Sequence, residues 1–147
     1  MAYSTRAQIE LRLGDTDRLD VLLADGQGVE RPEALDAAVA DAQGEIDAAI
    51  ASRYAAPITG TVPTQVSRWA ADLALASLAE NRPGGGGGSL AKKAQRARDE
   101  LAAVQAGKLS IPGLTPLDLV GGVDEAPQIL TSKDRSPTGE PGSMDVM

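Results

Sequence analysis

The chain contains no histidine, no cysteine and no phenylalanine. Without His or Cys the usual general base and thiol nucleophile are missing, which excludes Ser-His-Asp and Cys-His arrangements. The lack of Cys also removes any disulfide framework or Cys-based zinc site, and it leaves the redox compartment open. Aromatic residues amount to 2% of the sequence, so much of the 42% hydrophobic share is alanine. Alanine buries little area, and at roughly 25 cal/mol per Å² an alanine-lined core contributes less than a Leu/Phe core of equal length. A moderately stable monomer is expected, one that gains from burial against sister subunits.

No stretch approaches the roughly 20 apolar residues needed to cross a bilayer. The opening Met1-Ala2-Tyr3-Ser4-Thr5-Arg6 lacks a basic-then-apolar signal region, so a soluble protein made in the cytoplasm, with no membrane partner, is expected. Basic residues are also scarce. Fourteen Lys and Arg face 21 Asp and Glu, a formal charge of -7. Such a balance disfavours affinity gained by neutralising phosphates and suits a surface that DNA slides past.

What the sequence does hold is helical patterning. Its 147 residues have room for one modest domain plus appendages. Thr5-Arg6-Ala7-Gln8 has capping-box spacing and precedes Ile9, Leu11 and Leu13, with Gly14 as a stop. Asp15 or Thr16 can cap a second short helix carrying Leu19, Val21, Leu22 and Leu23, closed by the turn-forming Asp25-Gly26-Gln27-Gly28. These two pieces are expected to form a lid on longer helices.

Pro32 then opens an amphipathic helix in which Leu35, Val39, Ala42, Ile46, Ile50 and Tyr54 recur at spacings of four and three, up to the break imposed by Pro57. Gly44 inside it suggests a close crossing or a bend. Pro63 and Thr64 start a further helix to about Asn81, apolar nearly all round except at Arg68 and Asp72, as a helix buried in a core or between subunits would be. Pro83 and the run Gly84 to Gly88 read as a linker, and Ser89 as the cap of a last helix with Leu90, Ala94, Ala97, Leu101 and Val104 inward. Its outer face carries Lys92, Lys93, Arg96 and Arg98, and Gly107 ends it.

The expected fold is all-α: a small bundle of three longer helices plus short N-terminal ones over residues 1–107, with an extended arm over 108–147. In the arm, prolines and glycines alternate with Ile111, Leu114, Leu117, Leu119, Val120, Ile129 and Leu130. A frayed tail is the bland alternative; so many large aliphatics favour an arm that lies on a partner.

Candidate chemistry loses to plainer readings. Ser89 with Lys92 or Lys93 could form a Ser-Lys pair, but Ser89 fits better as a cap. Asp41 and Glu45 share a helix face without an apolar pocket to shift a pKa, so they read as solvated. The glycine run lacks the G-x-x-x-x-G-K-[ST] order of a phosphate loop, and the Asp25 turn lacks the ligand spacing of a calcium loop. No cofactor, metal or catalytic residue is therefore expected, and no enzyme. The Lys92/Lys93/Arg96/Arg98 cluster is by default an exposed helix face; its functional reading is a docking patch for an acidic neighbour, since no aromatic is there to stack a base.

The order of these pieces resembles the head-tail adaptor (connector, or head-completion) proteins of tailed bacteriophages, in the branch of Mu-like phages and prophages. The resemblance rests on Tyr3-Ser4-Thr5, Arg12-Leu13-Gly14, the Asp-Gly turn, Leu35 to Ala42, Glu45-Ile46-Asp47 leading to Ala51-Ser52-Arg53-Tyr54-Ala55-Ala56-Pro57, Val62-Pro63, and the helix around Trp69-Ala70-Ala71-Asp72-Leu73-Ala74. It covers Tyr3 to about Gly107, and the five-glycine run departs from the family's usual linker. It implies a virion protein at the head-tail interface, assembled in the host cytoplasm as a dodecameric ring beneath the portal. Such a ring prolongs the channel for double-stranded DNA without binding it specifically, and it receives the next neck or tail component. By the same resemblance Glu45, Asp47, Arg53 and Tyr54 would lie near subunit contacts, and the segment from Lys108 onward, with Ile111, Leu114, Leu117, Leu119, Ile129 and Leu130, would engage the portal. The alternatives are another neck or tail-completion protein, such as a stopper or terminator built on β-structure, and a small helical DNA-binding regulator, which the acidic balance opposes.

Overall fold

A computed structural model of the chain describes residues 2–25, 27–82 and 88–117. Among these there are five helices and no strand: α1 (Arg6–Leu13), α2 (Thr16–Leu23), α3 (Pro32–Ile50), α4 (Thr64–Glu80) and α5 (Gly88–Gln105). The expected all-α bundle is the observed architecture. The glycines Gly84 to Gly87 and the aliphatics Leu119, Val120, Ile129 and Leu130 lie outside the described residues.

Local signals set most of the helix ends. Thr5 closes a full capping box with Gln8, and Gly14, at φ 83°, takes the left-handed conformation that ends α1. Asp15 caps α2 by accepting from the Asp17 amide. Pro32 stands in the first turn of α3, where its missing N–H costs nothing. This helix stops at Ile50, a turn short of the periodic pattern, yet Tyr54 beyond it remains buried because its amide still bonds the Ile50 carbonyl at 2.8 Å. Ser89, expected as a cap, falls instead inside the first turn of α5.

The packing centres on α4, and each of the other four helices touches it. Eleven of its residues are buried, including Trp69 at 0% exposure and the charged Asp72. The apolar surface all round this helix is thus covered by its own chain. Ala34 near the start of α3 shares a cleft with Leu78, Asn81 and Arg82 at the end of α4, so these two run antiparallel. Arg68 and Trp69, early in α4, reach Glu100 late in α5, so this pair is antiparallel too, and α3 and α5 run parallel. The expected inward positions of α5, from Leu90 to Val104, are all buried.

Ile9, Leu11 and Leu13 sit two residues apart, about 200° around a helix, so they cannot share one face; Ile9 is buried and Leu11 is 84% exposed. Gly44 marks no crossing within the chain. It is exposed, with nothing within 4 Å of where a Cβ would stand.

The compact helical unit runs from Met1 to Leu114, and a second unit begins at Thr115, of which 115–117 are described. Leu109, Ile111 and Leu114 therefore belong with the bundle: Ile111 is buried in it and the other two pack partly against it.

Candidate assembly surfaces

The residues singled out for subunit contact turn out to have partners within their own chain. Glu45 on α3 receives the Arg98 guanidinium of α5 at 2.7 Å, tying two parallel helices at mid-height. Asp47 accepts a hydrogen bond from the Tyr3 hydroxyl, and that oxygen in turn accepts from the Ile58 amide at 2.7 Å. Burial, followed by the bond to Asp47, pushes the Tyr3 hydroxyl up to about 12. Arg53 lays its guanidinium over Gly107, whose φ of 80° ends α5; a Cβ there would meet Arg53 Nη1 at 2.9 Å. Tyr54 is buried, and its hydroxyl accepts from the Ile111 amide at 3.0 Å. Glu45 and Asp47 remain partly open to solvent, whereas Tyr54 faces inward and presents no surface.

Of the aliphatics assigned to a portal-contacting arm, Ile111 is committed to its own core and Leu114 lies partly against it. Leu117 is 45% exposed. Leu119, Ile129 and Leu130 lie outside the described residues.

Polar ties that the sequence reading did not single out hold the lid in place. Arg12 on α1 makes a fork to the buried Asp72 carboxylate, with contacts of 2.7 and 3.0 Å, and this hydrogen-bonded ion pair raises the Arg12 pKa. Arg6 gathers Glu30, Glu10 and Asp20 at 2.8 to 2.9 Å, joining both short helices to the loop before α3. Its pKa rises because of the bonds to Glu30 and then Glu10. The only available signal for either tie was an unmatched charge in an apolar helix, Asp72, and an Arg early in a short one.

The Asp25 turn organises itself. One carboxylate oxygen accepts from the Gln27 and Val29 amides at 2.8 and 2.9 Å, and those bonds hold its pKa below the usual carboxylate value. Among the described residues no cluster of three or more metal-ligating side chains occurs. The cleft between α2, the start of α3 and the end of α4 has a volume of about 270 Å³ and contains Arg82, whose guanidinium is already engaged by the Val21 and Ala24 carbonyls.

Leu11 on α1 and Val21 on α2 are exposed, and so are the outer faces of α3 and α5. On α3, Ala37, Ala40, Gly44 and Ala48 are exposed, with the exposed carboxylates of Asp36 and Asp41 beside them. On α5, Lys92 and Arg96 are exposed and in no ion pair among the described residues, whereas Lys93 turns to the Arg12 carbonyl and Arg98 to Glu45.

A family model described as "Bacteriophage Mu, Gp36" matches residues 3–118 of this chain. The chain belongs to that family. Membership makes it a Mu-like phage protein. The matched span begins at Tyr3, whose hydroxyl pins the N-terminus to the bundle, and takes in all five helices of the Gp36-family chain. No curated protein matches it. No helix among the described residues is long and apolar enough to cross a membrane.

Proposed function

We propose that this Gp36-family protein is a non-enzymatic component of the virion, a head-tail adaptor. In this reading, copies form a dodecameric ring beneath the portal, extend the DNA channel and offer a docking surface to the next neck or tail component. The family match over residues 3–118 carries the proposal. The fold is compatible with it: α4 is covered by its own chain, so contacts with neighbours must use the outer helices and whatever follows Leu114. The formal charge of -7 suits a lumen through which DNA passes without being held. An all-helical unit also distinguishes this reading from a stopper or terminator built on strands.

The test uses particles made without the protein. They are expected to fill with DNA, fail to join tails and regain joining when purified chain is added; particles that join tails without it refute the adaptor role. Removing residues 127–147 is expected to leave the helical circular-dichroism spectrum unchanged and weaken attachment to portal-bearing capsids. Attachment at full strength would place the docking function elsewhere in the chain.

A further inference from the structure

We infer that the outer face of α3 docks against the outer face of α5 in a second copy of this chain. The inference rests on the ring reading and specifies which surfaces meet. α3 carries five carboxylates, Glu33, Asp36, Asp41, Glu45 and Asp47, and no Lys or Arg. α5 carries Lys92, Lys93, Arg96 and Arg98 against Asp99 and Glu100. After the internal Glu45–Arg98 pair is set aside, the α3 face is left with uncompensated negative charge, and Lys92 and Arg96 are left with uncompensated positive charge.

Shape agrees with charge. By 100° steps around α3, the exposed Ala37, Ala40, Gly44 and Ala48 form a shallow valley, with Asp36 and Asp41 on opposite flanks. A Cβ added at Gly44 would meet nothing within 4 Å, so the centre of the valley is unfilled in the single chain. Lys92 and Arg96 have long apolar stems and charged heads. Stems of that kind lie along a floor of small residues while their heads reach the carboxylates at its rim.

Height agrees as well. Because α3 and α5 run parallel and the Glu45–Arg98 pair fixes their relative level, Lys92 and Arg96 stand level with residues 39 and 43 of α3, subtracting the same offset of 53. Asp41 lies between those levels. A copy generated by rotation about an axis parallel to the helices keeps its heights, and so brings the two cations to Asp41. The contact is heterologous, one face meeting a different face, which is the kind that closes into rings.

It is also small. The 19 residues of α3 span about 28 Å, and a strip one helix wide, about 10 Å, offers roughly 300 Å² per partner against the ~800 Å² of a standard interface. Free copies therefore associate weakly and in a salt-dependent way, and the contact becomes effective when copies are gathered on a common platform.

The absence of Cys permits a clean test with the full chain. Ala40→Cys protein mixed with Gln95→Cys protein, both of which keep every charge on the two faces, is expected to give an oxidised heterodimer at low ionic strength, at least about tenfold more than either variant alone and strongly reduced at about 0.5 M salt. The charge is tested with two further variants on exposed positions, Lys92→Glu/Arg96→Glu and Asp36→Lys/Asp41→Lys, each first shown by circular dichroism to be folded. Each alone sets like charges face to face and is expected to lose self-association in sedimentation; mixed one to one, every contact becomes complementary and association returns. No preferential 40-to-95 cross-link, or reversals without effect, or mixing that restores nothing, would each overturn the docking. Binding of portal-bearing capsids by wild-type chain separates the two levels: capsid binding without the cross-link sinks these faces alone, and no capsid binding sinks the ring reading.

Discussion

Arg12 and Asp72 form one ion pair, yet losing the two partners should have very different consequences. The Asp72 side chain is 4% exposed and sits on the most enclosed helix, whereas Arg12 is 37% exposed and reaches in from α1. Replacing Arg12 by Met keeps an apolar stem but strands the Asp72 carboxylate in the core, at an expected cost of about 3–5 kcal/mol. Replacing Asp72 by Ala frees Arg12 to turn into water, and about 1 kcal/mol or less should be lost, chiefly from the two hydrogen bonds. The double replacement Arg12→Met/Asp72→Ala removes both charges and is expected to lose only about 1 kcal/mol, so the cycle should show a coupling of about 3–5 kcal/mol. Urea unfolding followed by circular dichroism measures all four proteins, and the slope with denaturant should stay constant while the midpoint moves. For a unit of this size, 4 kcal/mol corresponds to a fall in Tm on the order of 15–30 °C. Equal losses in the two single variants, or a loss below about 1 kcal/mol for Arg12→Met, would refute the claim that the burial difference governs the pair.

Trp69→Ala is expected to cost about 3–5 kcal/mol, because the ring is fully buried, while Trp69→Phe should lose a smaller amount, mainly the Nε1 bond to Glu100; a cost under about 0.5 kcal/mol for Ala would contradict the burial. The Tyr3 hydroxyl titrates near 12, above the ordinary 10, so the stability it provides is complete below pH 10 and is lost as pH rises through about 12. Unfolding measured across that window should show the decline, and Tyr3→Phe should remove that part of it. Gly107→Ala should destabilise by roughly 1–2 kcal/mol, since φ there is 80° and the new Cβ meets Arg53; a neutral result in urea unfolding would mean the turn re-forms differently.

Much of the fold could be read from spacing. Inward rows of α3 and α5, the capping box of α1 and the enclosed character of α4 all follow from periodicity and cap chemistry, which act over a few residues. Long-range polar ties could not be read the same way. Nothing local in Tyr3 announces that its hydroxyl joins Asp47 and Ile58, at sequence separations of 44 and 55. Tyr54 shows the limit from the other side. Expected near a subunit contact, it is buried, and its hydroxyl accepts from the Ile111 amide of the same chain. The basic cluster on α5 was visible at once; its division into engaged Lys93 and Arg98 and unengaged Lys92 and Arg96 required the packed helices.

The enclosure of α4 separates two jobs that many proteins combine in one element. Because this helix organises the interior and shows almost nothing outward, evolution or an engineer could rewrite the exterior of α3 and α5 with little penalty to folding. Lineages sharing this scaffold could therefore diverge in whom they join long before they diverge in shape.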